Sequence, residues 1–198
     1  NPNAGGLTQV FNAAAAEIYG GEVEFATELF PDFNIRASAA YTRSRYKNFP
    51  TATIFCPRGA PTYGNATIPL GSLNPCTGEI NSDGAGGNEL IRTPEFTTSL
   101  SANYRAELEG GSAVEINGSA FYSGRFFWDP GNRLKEASYV ILNSEIAYVF
   151  TGGHFRIGLW GRNLANELYA LYKPESAAGD SVAYARPRSF GVSAKLDF

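Results

Sequence analysis

The clearest chemistry in this sequence lies where cations and aromatic rings fall close together. Tyr122, Arg125, Phe127 and Arg133 share one stretch, Tyr172 and Lys173 another, and Arg58 and Tyr63 a third. A guanidinium or ammonium beside an aromatic ring suits an anionic ligand, through charge-assisted hydrogen bonds and stacking. Catalysis has little to work with. The single histidine, His154, stands beside Gly152 and Gly153 in what reads as a tight turn, and an acid–base–nucleophile set needs further groups within reach. Metal ligation by a His/Cys cluster fails for the same reason. The two cysteines, Cys56 and Cys76, are flanked by Pro57 and Pro75 in a Gly/Pro/Asn-rich stretch. They read as a disulfide closing a surface loop in an oxidising compartment. No cofactor and no enzyme activity are expected.

The elements that position these residues are strands. The 198 residues include 22 Gly, 11 Pro, 11 Tyr, 14 Phe and no Met, a composition that favours strands and turns over helical bundles. Without Met, Asn1 is not a native start, and the chain reads as a fragment. A net charge of −3 gives no basic footprint for nucleic acid. No apolar run approaches the ~18 residues of a membrane helix, but barrel strands hide their hydrophobicity in alternation.

That alternation is plain at the end of the chain. Phe190, Val192, Ala194, Leu196 and Phe198 fall on one phase, against Ser189, Gly191, Ser193, Lys195 and Asp197 on the other. A two-residue period sends the two sets to opposite faces of a strand. Upstream, Val114, Ile116, Ala120 and Tyr122 oppose Glu115, Asn117 and Ser119, and Val140, Leu142, Ile146 and Tyr148 oppose Asn143 and Glu145. Similar patterns about Val23, Ile35, Leu100 and Ile157 bring the expected count to seven strands.

The expected connections alternate in length. Short turns at 31–33, about 109–111 and 151–153 separate long links at about 47–93, 130–137 and 173–186. A compact soluble domain seldom carries a structureless loop beyond about 15 residues, whereas outer-membrane barrels pair short periplasmic turns with long extracellular loops. That parity makes the last strand descend. It also sorts aromatics into two levels, with Phe126 and Trp128 near the outer interface and Tyr104, Phe150, Phe155 and Phe198 near the inner one. Arg58, Tyr63, Tyr122, Arg125, Phe127, Arg133, Tyr172 and Lys173 then stand toward the extracellular side as the candidate ligand-binding residues.

At the carboxy-terminal end, Arg162-Asn163-Leu164, Tyr169, Ala185-Arg186-Pro187-Arg188-Ser189-Phe190-Gly191 and the terminal Phe198 resemble the signature of TonB-dependent receptors. Gly21-Glu22-Val23-Glu24, Arg92-Thr93-Pro94 and Tyr139-Val140-Ile141-Leu142-Asn143 extend the likeness upstream. The resemblance implies an all-β, antiparallel transmembrane barrel of 22 strands, of which these would be the last seven, with the plug domain lying before Asn1. It implies active uptake of a scarce nutrient, most often a ferric siderophore, across the bacterial outer membrane. The implied partners are the TonB complex acting through the plug, outer-membrane lipid, the barrel-assembly machinery reading Phe198 as an assembly signal, and an iron chelate or other nutrient. A passive outer-membrane channel and a soluble β-sandwich binding module are the alternatives. The first would lack the carboxy-terminal signature, and the second would purify without detergent.

Overall fold

In a computed structural model of the chain, the described residues are 15–50, 52–56, 64–67, 71–72, 84–175 and 179–197. Thirteen strands follow in order: β1 (Ala15–Phe30), β2 (Phe33–Asn48), β3 (Thr53–Cys56), β4 (Gly64–Thr67), β5 (Phe96–Glu107), β6 (Ala113–Ser123), β7 (Phe126–Phe127), β8 (Lys135–Glu136), β9 (Tyr139–Val149), β10 (Phe155–Arg162), β11 (Ala170–Tyr172), β12 (Ala183–Tyr184) and β13 (Ser189–Leu196). Seven of them form one antiparallel meander ordered β1-β2-β5-β6-β9-β10-β13. The other six pair as short ribbons, β3–β4, β7–β8 and β11–β12, one inside each long link. The sheet is open, so β1 and β13 each have a strand partner on one side only among the described residues.

Turn chemistry sets the short connections. Asp32 takes a positive φ of 67° after Pro31, and its N–H donates to the Glu28 carboxylate at 2.9 Å. Gly152 and Gly153 carry φ values of 86° and 77°, a left-handed pair that most L residues would strain to adopt. His154 sits in this turn, where its carbonyl accepts the Asp197 N–H at 2.8 Å. All three short turns lie at one end of the sheet and all three long links at the other.

The register keeps the two faces distinct across every strand. One row runs Phe33–Tyr104–Ile116–Ile146–Leu159–Val192. The neighbouring row, on the opposite face, runs Asn34–Asn103–Asn117–Glu145–Trp160–Gly191. Residues of the apolar face are bare, with Val23 64% and Phe190 68% exposed. Such a surface is a liability in water and is at home in lipid. At the short-turn end it finishes in ring clusters, with Phe30 4.7 Å from Phe33 and Phe150 5.0 Å from Phe155 between ring centres.

The polar face is knitted by charge. Arg156 holds Glu115 at 2.9 Å and Glu145 at 2.9 Å, Arg105 reaches Glu115 at 2.6 Å, and the Ser193 hydroxyl donates to Glu145 at 2.7 Å. The network stitches β5, β6, β9, β10 and β13 together on the side that lipid does not reach. Glycine makes room for a ring at two adjacent places on the last strand pair. Trp160 lies over Gly191, where a Cβ would strike the indole, and on the other face a Cβ at Gly161 would meet Leu164 Cδ2 at 2.5 Å and the Phe190 ring at 3.0 Å.

Candidate functional site

The long links supply the candidate site. They begin where the strand patterns stop: Gly124 ends the β6 phase, and its N–H donates to the Phe96 carbonyl at 2.7 Å. Past it Phe126 turns inward and is only 8% exposed, 5.1 Å from Trp128. Asp129, 1% exposed, accepts the N–H groups of Arg133 and Leu134 at 3.1 and 2.6 Å, which fixes the bend toward β8.

The first and second links are tied together backbone to side chain. Asn132, at a positive φ of 54°, accepts the Glu89 N–H at 2.8 Å and donates to the Glu89 carbonyl at 3.0 Å. Asn88 donates to the Pro130 carbonyl at 2.8 Å. The third link is organised by Asn163, again left-handed with φ of 50°. Its amide accepts the Glu167 N–H at 2.8 Å and donates to the carbonyls of Glu167 and Arg186 at 2.9 and 3.2 Å. The Asn of the Arg162-Asn163-Leu164 motif thus folds the link back upon itself.

Glu136 joins the second link to the third. Almost fully buried at 4% exposure, it receives Lys173 Nζ at 2.6 Å, Trp128 Nε1 at 3.1 Å and the Ala170 N–H at 3.0 Å. Burial opposes its ionisation, yet the hydrogen bonds from Lys173, Ala170 and Trp128 outweigh it and hold the carboxyl below its usual range. Arg133 grips Asp180 through two bonds of 2.6 and 2.8 Å and Glu175 at 3.2 Å, and its hydrogen bonds keep the Asp180 carboxyl low as well.

The sequence candidates divide accordingly. Arg125, Phe127, Arg133, Tyr172 and Lys173 are all in or beside this rim, but each cation already has an acid: Arg125 chelates Glu89 at 2.8 and 3.1 Å and lies 5.4 Å from the Phe127 ring. Tyr122 is on the apolar face, opposite Thr98 and Val140. Arg58, Tyr63, Phe198 and the expected Cys56–Cys76 disulfide lie outside the described residues, although the backbone of Cys56 ends β3. The sequence marks Arg92 only within the Arg92-Thr93-Pro94 motif and not as a ligand-binding candidate. Its guanidinium sits 4.7 Å from the Trp128 ring centre and 5.2 Å from that of Tyr172, with no carboxylate within ion-pair distance among the described residues. Its signal was faint, since no aromatic residue neighbours it in sequence.

Below the rim, on the polar face, lies an open hollow of about 930 Å³. Asn103, Asn117, Asn143, Trp160 and Arg162 line its wall, and Tyr169 and Arg186 reach it from the third link. Tyr169 stacks on Tyr139 at 4.6 Å with ring planes 17° apart. Amides, hydroxyls and two arginines can hydrogen-bond a polar, anionic guest. Among the described residues no group of three or more His, Cys, Asp or Glu is placed to hold a metal ion.

An antiparallel meander with a lipid-facing apolar side, a charged and polar inner side, short turns at one end and interlocked links at the other defines a piece of transmembrane β-barrel wall. The chain belongs to the TonB dependent receptor-like, beta-barrel family, which it matches over residues 1–164. That makes it part of a bacterial outer-membrane receptor and not an enzyme. It is similar in fold to the ferric yersiniabactin uptake receptor FyuA from Yersinia pestis, with 17% identity and a TM-score of 0.70 over 92% of this chain and 24% of that one. It is similar also to the siderophore receptor PiuA from Acinetobacter baumannii, at 19% identity and 0.64 over 90% and 21%. The ferric-catecholate import receptor Fiu from Escherichia coli K12 gives 17% and 0.61 over 92% and 21%. The chain spans about a quarter or less of each of these proteins.

Proposed function

We propose that the chain forms part of the wall and the extracellular links of a receptor for active uptake of a ferric siderophore, energised through TonB. The long links face the exterior and the short turns face the periplasm. The observation that carries the reading is Arg92, whose guanidinium lies over the rings of Trp128 and Tyr172, themselves set edge to face 6.3 Å apart; a polar hollow lined by Arg162 and Arg186 adds further cations on the same face. Such a rim complements an anionic, aromatic or carboxylate-bearing iron chelate through charge and stacking. The names of the similar receptors, for yersiniabactin, a siderophore and a ferric catecholate, support the same cargo class. Arg125, Arg133 and Lys173 act in this reading mainly by shaping the rim, because their charges are spent on Glu89, Asp180, Glu175 and Glu136, while Phe127 and Tyr172 supply ring faces to Arg125 and Arg92. Arg58 and Tyr63 belong to the first link and remain candidates for covering it.

The test uses the whole receptor in iron-starved cells, with uptake of radiolabelled iron chelates followed beside direct binding to the purified protein. Arg92→Ala and Trp128→Ala should each weaken binding by about tenfold or more, with the heat-resistant folded band unchanged. Uptake that persists after the proton-motive force is collapsed would point to a passive channel and overturn the energised reading. Unchanged affinity in both variants would remove the rim as the binding site.

A further inference from the structure

The groups that meet at the rim come from three different links: Arg92 from the first, Trp128 from the second and Tyr172 from the third. Their meeting depends on how the links are joined. The first and second share backbone bonds. The Arg92 N–H donates to the Phe127 carbonyl at 2.8 Å, Ile91 and Phe127 form a parallel bridge, and the Asn132 amide clasps the Glu89 backbone. The second and third links are joined differently. Among the described residues no backbone N–H of one reaches a backbone carbonyl of the other, and their ties run through side chains. The third link is anchored at its root, where the Leu164 N–H donates to the Leu142 carbonyl at 2.8 Å, and Asn163 and Asn166 take left-handed φ values of 50° and 55°. From that root the ribbon β11–β12 projects as a leaf.

We infer that Arg133 is a positioning residue for the rim site: it latches the ribbon β11–β12 to the second link and so keeps Tyr172 at Arg92. Two ties hold the leaf, at different distances from its root. Glu136 holds the nearer part, through the Ala170 N–H and Lys173. Arg133 holds the far end, where a swing about the root moves the chain most. Its fork takes both oxygens of Asp180 at 2.6 and 2.8 Å and reaches Glu175 at 3.2 Å, so it binds one carboxylate just after β11 and one just before β12. The latch is itself fixed, because the buried Asp129 accepts the Arg133 N–H at 3.1 Å. The fork is also largely out of water, with the Arg133 side chain 24% and that of Glu175 13% exposed. Charge-assisted bonds in such a setting are worth about tenfold each in an equilibrium. Releasing them lets the leaf swing and carries Tyr172 away from Arg92, while Arg92 and Trp128 stay together on the backbone-joined pair of links. Apparent affinity then falls by the fraction of receptor in which the site is assembled. The inference rests on the reading of Arg92, Trp128 and Tyr172 as the binding rim.

The test places spin labels on Lys135→Cys in the second link and Val182→Cys in the third, both exposed positions, in the complete unreduced receptor. Pulsed dipolar spectroscopy reads the distance between them. With Arg133 present the labels should give one narrow distance. Arg133→Gln should add a longer, broader population, Arg133→Lys should stay near the native distance, and adding Asp180→Asn to Arg133→Gln should change nothing further. Affinity for a ferric tris-catecholate should fall about tenfold in Arg133→Gln. Saturating chelate should draw that variant back to the narrow distance, because a ligand that touches both links favours the closed form. Loss of fold would not be reversed in this way, and the heat-resistant band checks folding separately. An unchanged distance in Arg133→Gln overturns the proposal, as does a broadened one with native affinity. A native receptor that does not bind the ferric catecholate sinks the cargo reading alone, since the distances measured without chelate still decide the latch.

Discussion

Glu136→Gln is the most informative single change, because one nearly buried carboxylate joins two links. The glutamine keeps the shape and one acceptor oxygen, but it removes the charge and turns an NH2 toward donors. The Lys173 ammonium can partly rescue itself, since its side chain is 23% exposed, whereas the Ala170 N–H donates to Glu136 from a buried residue. Losing one charge-assisted bond in a site this dry costs roughly 2–3 kcal/mol. At 1.4 kcal/mol per tenfold, local opening at Ala170 should become about 30- to 150-fold more frequent. Hydrogen exchange of the Ala170 amide, measured at neutral pH on the reconstituted receptor, reads that opening directly, while the barrel's own melting should not move. The pH dependence supplies an independent check. With its folded pKa held below the unfolded value, Glu136 contributes stability that is fully present above the unfolded carboxylate range and lost as pH falls through the folded pKa. Variant and native exchange should therefore converge as pH falls below the unfolded carboxylate range and through the depressed folded pKa. An Ala170 amide equally protected in both proteins at neutral pH would refute the joint.

Three further outcomes follow from the faces and the links. Leu142→Arg, on the lipid side, should cost roughly 2–4 kcal/mol of barrel stability, whereas Ser101→Arg, facing the hollow, should be tolerated; equal loss of the heat-resistant band in both would contradict the facing. Arg156→Met takes the ion-pair partner from the partly buried Glu145, while Glu115 keeps Arg105 at 2.6 Å, and partial screening reduces the penalty to roughly 1–3 kcal/mol. Adding Glu145→Gln should return part of that loss in a denaturation series, and strict additivity would mean the pair does not interact. Thiol labelling of the folded, unreduced receptor should find neither Cys56 nor Cys76 reactive, and full labelling of both would end the disulfide expectation.

The sequence disclosed the strands far better than their ends. Period-two patterns such as Phe190–Leu196 and Val140–Tyr148 identify a face because every second residue meets the same medium, and seven long strands indeed result. The pattern is silent where the medium changes. Beyond Tyr41 the apolar pattern gives way to Arg43 and Arg45 and a β-bulge falls at Lys47, where the link was expected to begin, yet β2 runs on to Asn48. Phe126 and Trp128 keep the outward phase on paper, but Gly124 stops the strand, and both rings fold into the rim. Partners of the link cations were invisible for another reason. Arg125 pairs with Glu89 and Arg133 with Asp180, across separations of 36 and 47 residues that no local rule relates.

The reciprocal fit of Trp160 on Gly191 and Phe190 on Gly161 bears on how the last strand finds its place. Backbone hydrogen bonding alone does not distinguish registers two residues apart, and such a slip leaves each residue on its proper face. Here a slip would bring Ser189 or Ser193 opposite the indole, each with a Cβ where Gly191 has none. The benzyl ring of Phe190 would at the same time leave its hollow at Gly161 for Leu159 or its neighbours. Two ring-and-gap pairs, one facing lipid and one facing the lumen, thus act as a key with cuts on both edges. Elsewhere along β10 and β13 residues can change while keeping their polarity; a change at either glycine would let the strand seat out of step.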